Sequence, residues 1–220
     1  MAKHGESKHF KRSVVTTSVV IPRKKYKYYI RAMPGKHSSK EAVALVGILR
    51  DVMKVANNAR EALFLIKSGQ VKIDGKIAAD PKMAVGFGDH IWIEGDEFIV
   101  SINNKGKLFV EENKDDPTFK KLKLVAKTKF KGGKTMFSFN DSRNVLADED
   151  KAQVGDTVIF NLVTNTIEKT IPFEQGRNVL VFKGKNAGKT GKIIAINNGQ
   201  VTLEKDGESF TAFEEACFAL

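Results

Sequence analysis

The sequence predicts an α+β chain made of several small units rather than one large core. It reads as an extended basic N-terminal arm, a pair of short helices with a small sheet, and β structure from there on. Three observations predict this. Of the net charge of +11 carried by 220 residues, +10 lies in residues 1–40, where 11 Lys/Arg face the single acid Glu6. Apolar residues recurring at three and four are confined to residues 42–66, and that period marks a helix face. Beyond Gly69 the pattern becomes short alternating runs broken by Gly-Asp, Asp-Gly and Asn-Gly pairs, which are strand and turn signals.

The arm comes first. A segment with that self-repulsion and few apolar groups should not fold alone. Within it, residues 23–31 read RKKYKYYIR and hold all three tyrosines, Tyr26, Tyr28 and Tyr29. Cations neutralise phosphates and release counterions, and aromatic faces stack on unpaired bases. The arm therefore predicts an RNA contact through Lys3, Lys8, His9, Lys11, Arg12, Arg23, Lys24, Lys25, Tyr26, Lys27, Arg31 and Lys36. A solvated basic tail is the alternative. A mitochondrial presequence fits less well, because Lys outnumbers Arg and Pro22 and Pro34 interrupt any amphipathic helix.

Ser38 and Glu41 are spaced as a capping box, predicting a helix with Ala42, Leu45, Val46, Leu49, Val52 and Met53 on one face. Asn58 and Glu61 predict a second capped helix, closed by Gly69 in the left-handed conformation. Asp74-Gly75 predicts a hairpin turn. VGFGDHIWI, residues 85–93, predicts a Gly-Asp turn into a buried strand, with Trp92 in the core.

Two helices, then SGQVKIDGK, Pro81 and GDHIWI, resemble the alpha-L RNA-binding domain of ribosomal proteins, pseudouridine synthases and some aminoacyl-tRNA synthetases. The resemblance implies RNA contact at Arg50, Lys54, Arg60, Lys67 and Lys72. Two positions that the family often fills with basic residues are Ala59 and Leu63 here.

The middle reads as strands forming a small barrel or curved sheet, with VGDTVIFNL at 154–162 repeating the Gly-Asp device. Lys120, Lys121, Lys123, Lys127, Lys129, Lys131 and Lys134 are spaced either to line one side of a strand facing phosphate or to protect an edge strand. Asp148-Glu149-Asp150 reads as a solvated turn.

GKNAGKT at 184–190 is not a phosphate-cradling P-loop. Only three residues separate Gly184 from Gly188, and a β-type run follows where a helix is required. The segment resembles a KOW motif instead, with strands at 179–182 and 192–196. That resemblance implies an SH3-like β-barrel with RNA contacts at Lys183, Lys185, Asn186, Lys189 and Lys192, and glycines that let RNA approach the backbone.

The order of these units resembles the archaeal and eukaryotic type of small-subunit ribosomal protein four, the S-four-e family. KHFKR at 8–12, VKIDGK at 71–76, GFGDHIWI at 86–93, NDSRNV at 140–145 and NAGKTGKI at 186–193 stand in family order. The Trp usual after the basic opening is missing, and the chain stops at Leu220 without the basic extension of longer eukaryotic members, as in a compact archaeal-type form. The expected layout is an arm at 1–37, an alpha-L domain at 38–104, a central β domain at 105–172 and a KOW domain at 173–220.

The implied function is a structural constituent of the small subunit, in the cytoplasm, supporting assembly and translation. Its partners are small-subunit rRNA and neighbouring ribosomal proteins, with no membrane, small-molecule substrate or second copy of itself. A free regulatory RNA binder or RNA chaperone is the alternative, and an RNA-modifying enzyme the remote one. No catalytic residue, metal site or cofactor is expected. The single cysteine, Cys217, allows neither an internal disulfide nor a zinc site needing two thiolates. The four histidines do not cluster with carboxylates at catalytic spacing, and no apolar run approaches the ~20 residues that span a bilayer.

Overall fold

The computed structural model describes the chain except residues 1–8, 16–18, 22, 25, 39, 114–115, 131–132, 148–151 and 206. It divides into two compact units, one of residues 1–100 with 108–112, the other of 101–107 with 113–220.

In the first unit the arm is not wholly extended. β1 (His9–Lys11) pairs antiparallel with β2 (Tyr28–Ile30), bringing Phe10 opposite Tyr29. β3 (Val43–Ala44) pairs with β6 (Ala84–Val85). This pairing overrides the expected helix start at Ser38. Ser38 instead closes a turn, accepting from the Glu41 and Lys40 amides, and α1 (Leu45–Gly47) begins after Ala44 with no side-chain cap. α1 continues through a π-helical turn at Ile48–Val52. α2 (Ala59–Lys67) starts as the sequence predicts, with Asn58 Oδ1 accepting from the Arg60 and Glu61 amides at 2.9 and 3.0 Å. Gly69 follows at φ +75°.

β4 (Val71–Ile73) and β5 (Lys76–Ile77) form the hairpin predicted at Asp74-Gly75, both turn residues having positive φ. They join β7 (His90–Ile93), β8 (Asp96–Ile102) and β9 (Leu108–Glu112) in the order β5-β4-β7-β8-β9. Ile91 and Ile93 are buried, but Trp92 alternates to the other face and is half-buried beside His90, with ring centroids 5.8 Å apart. The expectation that Trp92 belongs to the core is therefore corrected by the two-residue period of the strand.

The second unit contains two five-stranded sheets. The first has the order β12-β11-β10-β13-β14. Its members are β10 (Phe119–Lys129), β11 (Thr135–Phe139), β12 (Asn144–Ala147), β13 (Thr157–Asn161) and β14 (Ile167–Ile171). Leu122, Leu124, Phe137, Phe139, Val158 and Phe160 form its core. The second sheet has the order β18-β17-β16-β15-β19. It comprises β15 (Asn178–Val181), β16 (Thr190–Asn197), β17 (Gln200–Lys205), β18 (Glu208–Phe213) and β19 (Cys217–Ala219). Val179, Val181, Ile193, Val201 and Leu203 pack with Cys217 in its core.

β10 is a central strand, so neither reading of its lysine run holds throughout. Lys120 and Lys123 are buried. Lys120 Nζ stands 3.5 Å from Asp141, which also pairs with Arg143 at 2.8 Å. Lys123 Nζ donates to the carbonyls of Glu214 and Cys217. Each lysine reaches a polar partner that offsets part of the cost of burying its charge.

The Gly-Asp device has one physical explanation at both of its sites. Asp89 accepts from the Gly86 amide at 3.0 Å, and Asp156 accepts from the Gln153 amide at 2.7 Å. In each turn the backbone answers, Asp89 N donating to Gly86 O and Asp156 N to Gln153 O. The aspartate closes a turn on itself and frees its second oxygen for a tertiary contact: Lys36 near Asp89, and the Phe173 amide at Asp156.

Candidate nucleic-acid interface

The arm hairpin is organised around Arg12 and Tyr29. Arg12 donates through Nε to Tyr28 O at 3.1 Å, and its guanidinium lies 5.1 Å from the Tyr26 ring centre and 5.5 Å from that of Tyr29. Arg50 lies over Tyr29 as well, at 5.9 Å. Tyr29 is buried, and its hydroxyl stands where a side chain on Gly47 would begin. Burial first, and then the Asp51 charge, raise its phenol well above the ordinary range. Tyr29 therefore anchors the arm to α1 and presents no face to a base. Tyr26 and Tyr28 are 61% and 49% exposed and keep that capacity.

Lys11, Arg12, Ser13, Arg23, Lys24, Tyr26 and Lys27 line an open pocket of about 410 Å³. Lys11, Lys24, Lys27 and Arg31 are exposed and Arg23 is half-buried. Lys27 lies 5.3 Å over Tyr28 and Arg31 5.4 Å over Phe10. Lys3, Lys8, Lys25 and the His9 side chain lie outside the described residues.

Two expected arm contacts are redirected inward. Arg12 is 3% exposed and is committed to holding the hairpin. Lys36 is half-buried, bonds Asp74, and stands 3.7 Å from Asp89. Beside it His37 Nε2 lies 2.8 Å from Asp89 Oδ2. Unpaired buried carboxylates are expensive, and the root of the arm supplies the nearest cations. These two side chains hold the arm in place.

Arg60 and Lys67 on α2, Lys54 between the helices and Lys72 on β4 are exposed. Arg50 is different: it forms a two-pronged pair with Asp51 at 3.1 and 2.6 Å. That hydrogen-bonded partner keeps its guanidinium charged and raises its pKa.

In the second unit the loop between β15 and β16 presents Lys185 and Lys189 to solvent, β16 itself presents Lys192, and Lys183 is half-buried over Phe182. Lys189 lies over Phe210 at 5.1 Å, and Asn186 donates to Thr211 O at 2.9 Å. The glycines do not all serve a ligand. Gly188 is buried, and a side chain there would collide with the backbone carbonyl of Asn103. Gly191 is crowded by Glu204 and Leu203 of β17. Only Gly184, at φ +93°, faces open space. Close approach of protein backbone, not of RNA, accounts for Gly188 and Gly191.

Among the described residues no group of three or more His, Cys, Asp or Glu side chains is arranged to hold a metal ion. No described helix is long and apolar enough to cross a membrane.

The family models match at two places. An S4 domain matches residues 49–91, spanning the helical pair and β4 to β7. The model described as ribosomal family S4e matches residues 94–167. Small ribosomal subunit protein eS4 of Methanocaldococcus jannaschii is 33% identical over 236 aligned residues, covering the whole chain and 96% of the relative.

The chain belongs to the ribosomal S4e family.

The S4e protein of Methanothermobacter thermautotrophicus is 35% identical over the whole chain and 95% of its own length. The crystal structure of the 30S ribosomal protein S4e from Thermoplasma acidophilum aligns with a TM-score of 0.72 at 28% identity, covering 82% of this chain and 95% of that one. Tyr29 and Gly47 are what sequence reasoning about this S4e chain missed. The glycine inside an apolar helical run was the available signal, since such a glycine marks a close approach.

Proposed function

We propose that this S4e chain is a structural constituent of the small ribosomal subunit, working in the cytoplasm. It binds rRNA, lies beside other ribosomal proteins and carries out no catalysis. Full-length similarity to proteins named small ribosomal subunit protein eS4 supports the role. The observation that carries the RNA contact is the arm surface, where exposed cations and Tyr26 converge on one pocket. Phosphate and sugar contacts would dominate there, so sequence selectivity would be modest.

The working layout is an arm at 1–37, an alpha-L domain at 38–104, a central β domain at 105–172 and a KOW domain at 173–220. The lysines around the β15–β16 loop are the second RNA contact. The test is sedimentation of cell lysate in low salt and then in ~0.5 M salt, which weakens contacts resting on counterion release alone. An integral component stays one-to-one with the small subunit. A chain that washes off or runs free is a regulator or chaperone instead.

A further inference from the structure

Past its bulge β10 leaves β13, while β11 stays paired with β12 along the same stretch. From Phe119 to Lys123, β10 pairs with β13; after a bulge between Leu124 and Ala126 it pairs only with β11. A bulge re-aims a strand and increases its twist. Among the described residues, Ala126–Lys129 therefore has β11 on one side and no strand on the other. The hairpin closes at its tip through Phe130 N donating to Lys134 O at 2.9 Å.

What the outer half of the β10–β11 hairpin displays is selective. Between Val125 and Phe139 the sequence has four lysines and no acid. Lys129 and Lys134 are exposed and Lys127 is half-exposed, 5.5 Å over the Phe137 ring. Phe130 is 51% exposed at the tip itself. Lysines alone would be explained as protection of an open strand edge. An exposed aromatic at the same edge works against that purpose and offers a stacking face. Cations on a strand edge with an aromatic face between them fit a phosphate chain carrying an unstacked base. They do not fit a hydrophobic protein surface, which would have to bury the lysines.

We infer that the β10–β11 tip is a further RNA-binding element, which takes a single-stranded or bulged segment with Phe130 stacked on a base and Lys127, Lys129 and Lys134 on the flanking phosphates. The inference rests on the rRNA-binding reading and adds a contact within the central sheet, away from the arm and from the β15–β16 loop in sequence.

The test is binding of the full chain to protein-free small-subunit rRNA across a salt series. Lys127→Gln/Lys129→Gln/Lys134→Gln is expected to lower the slope of log affinity against log salt by about 2 to 3. Phe130→Ala is expected to weaken binding by about five- to one-hundred-fold with the slope unchanged, and Phe130→Trp to restore it. Partial exposure of all four side chains keeps the variants folded, which thermal melting checks. If the wild type binds and the variants match it in affinity and slope, the tip is not an RNA element. Variants that bind RNA normally but fail to enter the subunit would assign the tip to a protein neighbour and equally overturn the inference. A wild type that does not bind rRNA at all would overturn the underlying function instead.

Discussion

Gly184 and Gly188 sit in one loop with nearly the same backbone angle, φ +93° and +88°, and differ only in what surrounds them. Alanine at either position must adopt a left-handed conformation, at a cost of about 1 kcal/mol. At Gly188 it must also displace the Asn103 carbonyl, which is backbone and cannot swing aside. Gly188→Ala is therefore expected to destabilise the protein by more than about 2 kcal/mol and Gly184→Ala by about 1, read from urea unfolding.

Lys123 makes a second test at this scale. Burial pushes its ammonium from the ordinary 10.5 down to about 8, against the opposing pull of Cys217 and Glu214. The folded-state value lies below the unfolded one, so between about pH 8 and 10.5 the unfolded chain holds more protons and stability rises with pH. Burial raises the Cys217 thiol from 9.0 to about 11, and its contribution is lost as pH rises between those values. From pH 8 to 9 the lysine outweighs the thiol, and stability should rise by roughly 0.7 kcal/mol. Lys123→Met should abolish that rise.

Single elements show where local sequence was enough. α2 carries its own start and stop: Asn58 caps the Arg60 and Glu61 amides, Glu61 reaches back to the Asn57 amide at 2.7 Å, and Gly69 ends the chain of bonds. Asn58→Ala should cost about 1 kcal/mol, measured by thermal unfolding. The Ser38 and Glu41 pair has the same spacing but gives only a turn, because Val43–Ala44 is drawn into pairing with Ala84–Val85 some forty residues away. No local pattern announces such a partner. β10 is the same lesson in a strand. Alternation predicted the strand, but its central place, and so the burial of Lys120 and Lys123, depends on strands arriving later in the chain. The candidate site divides similarly. Exposed cations were legible from type and position, whereas Arg12 and Lys36 were turned inward by Tyr29, Asp74 and Asp89, which only folding brings near.

Across the whole molecule, +10 of the net charge of +11 lies in the first 40 residues, yet that segment is not an independent tail. Removing residues 2–37 would strip Tyr29 and His37 from the first unit together with the charge, so a loss of binding would be ambiguous. Substituting Lys11, Arg23, Lys24 and Lys27 by Gln leaves the anchors in place. That variant should lower the salt slope of rRNA binding by about 3 to 4 and weaken binding most at low salt, measured by filter binding.

The two units also differ in when their partners become available. Every strand pairing of the first unit is complete once residue 112 has been made. The second unit has its earliest piece, Asn103 to Gly106, waiting for Ala187 and Gly188, and Lys123 waiting for carbonyls 91 and 94 residues downstream. At roughly 5–20 residues per second of synthesis, the gap between the two closures is on the order of 5–20 s. For that interval a nascent chain holds a finished basic hairpin and helical pair ahead of an open β segment. The order of synthesis thus lets the charged end of the molecule meet a polyanion before the rest has closed.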